Sequence, residues 1–250
     1  MNKISMCISV IILSLIMLIP AYGQFSKPLS VQIGGGIGYV LPAGDLGGTT
    51  MDYYSGSKYG LSNGINLQGK ARFAIAGLNL VGEIDYSALS NSGYSEPGQG
   101  NIELSQKILS FRIGPEFKFN LPAIPFTPYI GANLALNHFS SDITFQGVAR
   151  VPSAIYSMEG ATRAGIGFSG GALFHLSSFI LDVGIQYNLL NLFGKSWKDV
   201  NPTIDQRLDS YLALNDDMDP AYLAGSNTHI IGSSRTINTF AITATAMFEL

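Results

Sequence analysis

Polar and apolar residues alternate with a period of two along most of this chain. Ile65, Leu67, Gly69, Ala71, Phe73 and Ile75 alternate with Asn66, Gln68, Lys70, Arg72 and Ala74. A period of two is that of a strand, and a run of about ten residues is what a tilted strand needs to cross a bilayer. After Ala76-Gly77 the pattern resumes. Leu78, Leu80, Gly82, Ile84 and Tyr86 oppose Asn79, Val81, Glu83, Asp85 and Ser87. Leu109, Phe111, Ile113, Phe117 and Phe119 then oppose Ser110, Arg112, Gly114, Glu116 and Lys118. Val31–Val40, Tyr129–Asn137, Arg163–Leu176, Phe179–Leu189 and Ile237–Leu250 repeat the alternation. Eight spans result, and single-chain bacterial membrane barrels have an even number.

Connection lengths supply a second signal. The links near 76–77, 120–127 and 177–178 are short, whereas those at about 41–61, 89–105, 140–160 and 191–235 are long. Short periplasmic turns alternating with long outer loops are the layout of an outer-membrane barrel. In a lipocalin-type barrel or a sandwich the apolar face would be the inner one. Here the charges sit in the polar set and the other set is continuously apolar, which turns the apolar face outward. The expectation is an all-β, eight-stranded, antiparallel up-and-down transmembrane β-barrel. Ile143 to Val151 also alternates, so ten strands are the alternative; that stretch reads better as strands five and six extending beyond the membrane.

Composition narrows the class further. Only 12% of residues are charged, 46% are hydrophobic and 29 are glycine. That is about half the charge of a soluble domain. No apolar run after Ile19 reaches the roughly 18 residues of a spanning helix. With helices excluded, a closed barrel is what satisfies every backbone polar group in hydrocarbon. The net charge of −3 leaves no basic patch for nucleic acid. Lys3, the apolar run Ile8–Ile19 and Ala21-Tyr22-Gly23 form the three parts of a secretory signal. Residues 1–23 are therefore expected to be a signal peptide cleaved after Gly23, and 24–250 the barrel domain. Cys7 is the single cysteine, so the mature chain has no thiol chemistry.

On these residues the chain resembles small outer-membrane proteins of the OmpA/OmpX-like barrel superfamily. Tyr39-Val40-Leu41-Pro42-Ala43-Gly44-Asp45-Leu46 is similar to their strand-end turn, and Thr127-Pro128-Tyr129-Ile130-Gly131-Ala132 to a recurrent strand start. The last strand, with Phe240, Ile242, Phe248 and Leu250 on one face, resembles the C-terminal signal read by the barrel-insertion machinery. In the family that signal usually ends in Phe; here Leu250 keeps the parity. The resemblance implies outer-membrane localisation, periplasmic chaperones and the insertion machinery as partners during biogenesis, and lipopolysaccharide as the surrounding lipid.

The inward parity collects the cations Lys70, Arg72, Arg112, Lys118 and Arg163 and the anions Glu83, Asp85, Glu116 and Asp182. A tight hairpin at 76–77 places Lys70 opposite Glu83 and Gln68 opposite Asp85. An eight-stranded interior is just wide enough for side chains to fill, and buried charges must be paired. A salt-bridged plug is therefore expected, with a narrow porin-like channel as the alternative. Catalytic candidates are thin. His138-Phe139-Ser140 has the His-x-Ser spacing of a lipid A deacylase family, but the acid position of that family falls near Pro152. A lipid A-modifying hydrolase is thus the weakest reading. His175 is expected near Asp182, and His229 alone in a loop.

The connection 191–235 is the most individual part and the candidate surface for an extracellular or envelope protein partner. Asn201-Pro202 and the spacing of Ile204, Leu208, Tyr211 and Leu212 predict a short helix over 202–214. Asn215, Asp216, Asp217 and Asp219 lack the glycine and terminal Glu of a calcium loop and read as a solvated acidic tip. Tyr39, Tyr86, Tyr187 and Trp197 suit an outer aromatic girdle, and Phe117, Phe119, Phe174 and Phe179 an inner one. No cofactor, metal or catalytic centre is expected. The function expected is a non-enzymatic barrel with exposed loops for surface interaction or envelope integrity.

Overall fold

The computed structural model describes residues 30–75, 78–119, 121, 124–200 and 207–250. The signal segment and most of the first half of the expected 202–214 helix lie outside the described residues. Nine strands form one antiparallel sheet: β1 (Ser30–Gly44), β2 (Gly64–Ile75), β3 (Leu78–Glu96), β4 (Gln99–Lys118), β5 (Thr127–Gln146), β6 (Ala154–Ser157), β7 (Ala161–His175), β8 (Ile180–Phe193) and β9 (Ile237–Glu249). Eight of them close a ring in the order β4-β3-β2-β1-β9-β8-β7-β5, and β5 pairs back with β4. The ninth, β6, is a short return strand paired with β5 outside the ring. Among the described residues no helix is long and apolar enough to cross a membrane.

Registers follow the sequence parity. Lys70 pairs with Glu83 and Gln68 with Asp85 across the hairpin. Ile37, Ile65, Leu67, Ile84, Phe111, Ile113, Ile130, Leu134 and Ile185 are exposed on the outer surface. Such a belt of exposed apolar side chains on a closed sheet is stable only against lipid.

The belt ends on one hydrogen-bonded row. Tyr86 pairs with Leu109, and Leu109 with His138. One step farther, the row Ala88–Lys107–Ser140 begins a polar outer face. From there the inner face becomes apolar: Leu89, Ile102, Leu104, Ile108, Phe139, Ile143 and Phe145 are all buried. The alternation thus inverts within β3, β4 and β5 without any break in pairing. The stretch 89–105, expected as a loop, is therefore mostly strand, with the hairpin turn only at 97–98. Beyond the hydrocarbon the outside is water, so the same sheet must bury its apolar residues inward.

Two short helices complete this outer head, α1 (Thr50–Tyr54) and α2 (Asp209–Leu212). The first carries a capping box, in which Thr49 Oγ1 accepts from Asp52 N–H and the Asp52 carboxylate accepts from Thr49 N–H. Of the helix expected over 202–214, the described part is one turn, because Ala213 turns to an extended conformation. Tyr53, Tyr54, Tyr59, Leu61, Leu208, Tyr211 and Leu214 from the loops pack on the apolar inner faces of the strands. Each fully buried side chain of this size contributes roughly 1.5–3 kcal/mol.

Candidate functional site

The lower interior is a continuous ionic network. Lys70 Nζ lies 3.2 Å from Glu83 Oε1 and 2.8 Å from Asp182 Oδ2. The Arg72 fork donates to both Glu116 oxygens, at 2.7 and 2.9 Å, to Asp182 Oδ2 at 2.9 Å and to Gln32 at 3.1 Å. Arg112 lies 3.1 Å from Asp85 Oδ2 and 3.8 Å from Glu83 Oε2. Gln186 bridges Arg112 and Glu83. Tyr129 donates to Asp182 at 2.7 Å, and its ring faces Lys70 and Arg72. A Cβ on Gly171 or Gly184 would come within 2.7 or 2.6 Å of that phenol oxygen. Glycine at both positions is what lets Tyr129 span the lumen.

None of the seven charged groups in this network is more than 7% exposed. At that burial an unpaired charge would be strongly destabilising, so shared partners are required. Two expected members stand apart. Lys118 is half-buried at the end of β4 and, among the described residues, makes no ion pair. Arg163 is separate because its partner comes from the long loop, not from the lumen.

The described part of that loop packs on the apolar inner faces of the upper strands. Arg163 donates to Asp216 from Nε and Nη2, at 2.9 and 2.8 Å. Asn191 Nδ2 and Ser196 N–H donate to the same carboxylate at 2.9 and 3.1 Å. Arg235 donates to the Asn215 carbonyl at 2.7 Å and stacks on Tyr59 with its guanidinium carbon 4.1 Å from the ring centre. Burial holds the Tyr53, Tyr59 and Tyr211 phenols above their ordinary pKa. Asp216 is 0% exposed and Asp219 1%. The expected solvated acidic tip is therefore wrong for these two and for Asn215, which is 1% exposed. Arg163 and Asn191 hold the Asp216 carboxylate inward and the His229 ring holds that of Asp219, leaving Asp217 and Met218 outside. His229 is likewise not alone, since its Nδ1 lies 2.8 Å from Asp219 Oδ2.

The catalytic candidates do not assemble. His138 and Ser140 share the outer parity, as expected, but the histidine ring pairs with Thr162 Oγ1 at 3.1 Å rather than with a carboxylate. His175 is exposed near the periplasmic end, and Asp182 pairs with Leu173 across β7 and β8 instead. Lys70, Arg72 and Tyr129 occupy that carboxylate, which leaves nothing for His175. Phe240, Ile242 and Phe248 lie outward on β9, and Leu250 N–H donates to Val31 at 2.9 Å beyond the strand.

No family model matches the chain, and no curated protein does. Among solved structures, Neisserial surface protein A is 14% identical over 90% of this chain and 100% of its own, with a TM-score of 0.50. Eight strands in a ring, a lipid-type outer face and that superposition agree. The chain has the fold of a small outer-membrane β-barrel. A major outer membrane protein from Thermus thermophilus is also similar, at 12% identity, 88% and 99% coverage and a TM-score of 0.46. So is Ail from Yersinia pestis, solved with the heparin analogue sucrose octasulfate, at 13% identity, 88% and 97% coverage and a TM-score of 0.38. At these identities the likeness is one of fold.

Proposed function

We propose that this outer-membrane β-barrel is a closed, non-conducting and non-enzymatic barrel whose exposed loops serve surface interaction or envelope integrity. The observation that supports the reading is how the interior is filled. A salt-bridged network lies in the lower lumen, and the described part of the 191–235 loop, held by the Arg163–Asp216 pair, packs on the inner faces of the upper strands. Eight strands leave an interior that such side chains fill. The functional surface is then the outer head, and the 191–235 loop is its most individual part. The acyl-transfer alternative lacks support, because His138 faces lipid with a hydroxyl as its partner.

Planar-bilayer recording on the refolded protein tests the reading. The expected result is no stable unitary conductance, and steady openings of one size would overturn it in favour of a narrow channel. Export by a signal peptide is part of the same proposal. Amino-terminal sequencing of protein from outer membranes should begin at Gln24, and an intact Met1 would remove that part.

A further inference from the structure

The outer face of the protruding β3–β4–β5 sheet has a composition that neither lipid contact nor core packing explains. Its cross-strand rows are Ser90–Ser105–Asp142–Ser157 and Ser92–Glu103–Thr144–Ile155. With Ser62, Asn63 and Leu104, the β3, β4 and β5 members of these rows line a trough of about 650 Å3. Tyr94 stands one row farther out on the same face and is 61% exposed. Asp142 is held by Lys107 Nζ at 3.0 Å and Ser157 Oγ at 2.9 Å, and these two contacts keep its carboxyl below the usual pKa.

We propose that this trough binds the saccharide of the glycolipid that surrounds the barrel in the outer leaflet. Three observations select that ligand. The floor is built of hydroxyls, which donate and accept alike, and of carboxylate oxygens, which accept. Sugar hydroxyls are complementary to both. Charge excludes a phosphate group here: Glu103 and Asp142 face the trough, and the neighbouring cation Lys107 is already paired with Asp142. Tyr94 offers a ring beside this polar floor for the apolar face of a sugar.

Position selects the source. The lipid belt ends at the Tyr86–Leu109–His138 row, and the trough begins two hydrogen-bonded rows above it. Each row is two residues of strand, a rise of roughly 6.6 Å, so the trough begins within about 15 Å of the hydrocarbon edge. That layer holds the headgroups, so a sugar fixed to the membrane meets the trough without diffusing to it. The inference rests on the outer-membrane placement and does not depend on whether the lumen conducts.

The test uses the full chain in detergent micelles, titrated with a soluble, dephosphorylated lipopolysaccharide core oligosaccharide and observed by amide NMR shifts. Shifts confined to residues 62–63, 90–94, 101–107 and 140–146 are expected. Glu103→Ala and Tyr94→Ala should each weaken binding at least about fivefold, the scale of one lost charge-assisted contact. Both side chains are exposed, so the heat-modifiable gel mobility of the barrel should be unchanged. Should Glu103→Ala fail to fold, Ser92→Ala provides the same readout with a smaller change. Unchanged affinity in these variants, no binding at all, or equal shifts from lipid A lacking core sugars would each overturn the proposal.

Discussion

One strand can obey two opposite rules. In β4, the stretch Leu109–Phe117 carries Arg112 and Glu116 inward and Phe111, Ile113 and Phe117 outward. Eight residues earlier the same strand carries Ile102 and Leu104 inward and Glu103 and Ser105 outward. Pairing with β3 and β5 runs unbroken across the inversion between them. The difference lies in the outer solvent, lipid in one case and water in the other. Backbone hydrogen bonding fixes which side chains share a face, and the medium decides which face is apolar. Below the inversion the barrel is held together by paired charges, and above it by a conventional hydrophobic core.

The largest effect should come from breaking the lower region. Arg72 is 1% exposed and holds both Glu116 and Asp182. Arg72→Ala takes the ion pair from buried Glu116 and leaves Asp182 with Lys70 and Tyr129, and breaking such a pair costs about 3–5 kcal/mol. Urea unfolding of the barrel in lipid vesicles would measure it, and a loss below about 1 kcal/mol would mean that the network is ornamental. The upper region offers the matching perturbation. Phe145 is 0% exposed, and Phe145→Ala should also cost about 3–5 kcal/mol through the cavity it leaves. That loss should loosen the head, read as faster proteolysis of the outer loops, with the lower strands still protected.

The solvent rule itself is tested by one residue type at two positions of outward parity. Ile84 lies on the lipid belt and Thr144 on the face of the head. Ile84→Arg should cost about 2–4 kcal/mol in a bilayer. Thr144→Arg should stay within about 0.5 kcal/mol, as surface changes do. Equal costs at both positions would sink the placement of the boundary at the Tyr86–Leu109–His138 row.

An intermediate effect is expected where the two regions meet. Asp216→Ala removes the acceptor of Arg163, Asn191 and Ser196. Arg163 keeps Ser196 Oγ at 2.9 Å and can turn toward solvent at the mouth. The cost should therefore be about 1–3 kcal/mol, that of unsatisfied polar groups rather than of a sealed charge. Trypsin would then cut at Lys195 and Lys198 faster than in the parent. An unchanged digestion pattern would show that the latch does not hold the loop.

Local periodicity made most of the lower barrel legible. Spacing alone paired Lys70 with Glu83, because a tight hairpin leaves no freedom of register. It could not pair Arg163 with Asp216, which lies 53 residues away across a loop with no period of its own. It therefore assigned Arg163 to the lumen and Asp216 to solvent. Two other signals were present and unread. Ile102, Leu104 and Ile108 against Glu103, Ser105 and Lys107 state the inversion outright. Thr49-x-x-Asp52 is a capping box that marks α1. Tyr129 has the inward parity of its strand, but nothing local discloses that it reaches Asp182.

The smallest expected effect belongs to the head and is a dependence on pH. The Asp52 carboxylate accepts from Thr49 N–H and from Thr49 Oγ1, each at 2.8 Å, and the backbone contact is the main reason its pKa is held below the usual carboxylate value. A lowered folded pKa means that the contribution is complete above the unfolded carboxylate pKa of about 3.9 and is lost as pH falls toward the folded value. Between pH 7 and 5 the cap should not change, and below about pH 4 it should weaken. Asp52 is only partly buried and its contacts are screened by solvent, so the loss should be only a few tenths of a kcal/mol. Amide exchange at Tyr53, whose N–H donates to Thr49, should quicken in acid beyond its intrinsic rate. Asp52→Asn should abolish that extra acid sensitivity while leaving the strands of the lower barrel unaffected. Persistence of the acid effect in Asp52→Asn would assign it to another group and detach the capping box from the stability of the head.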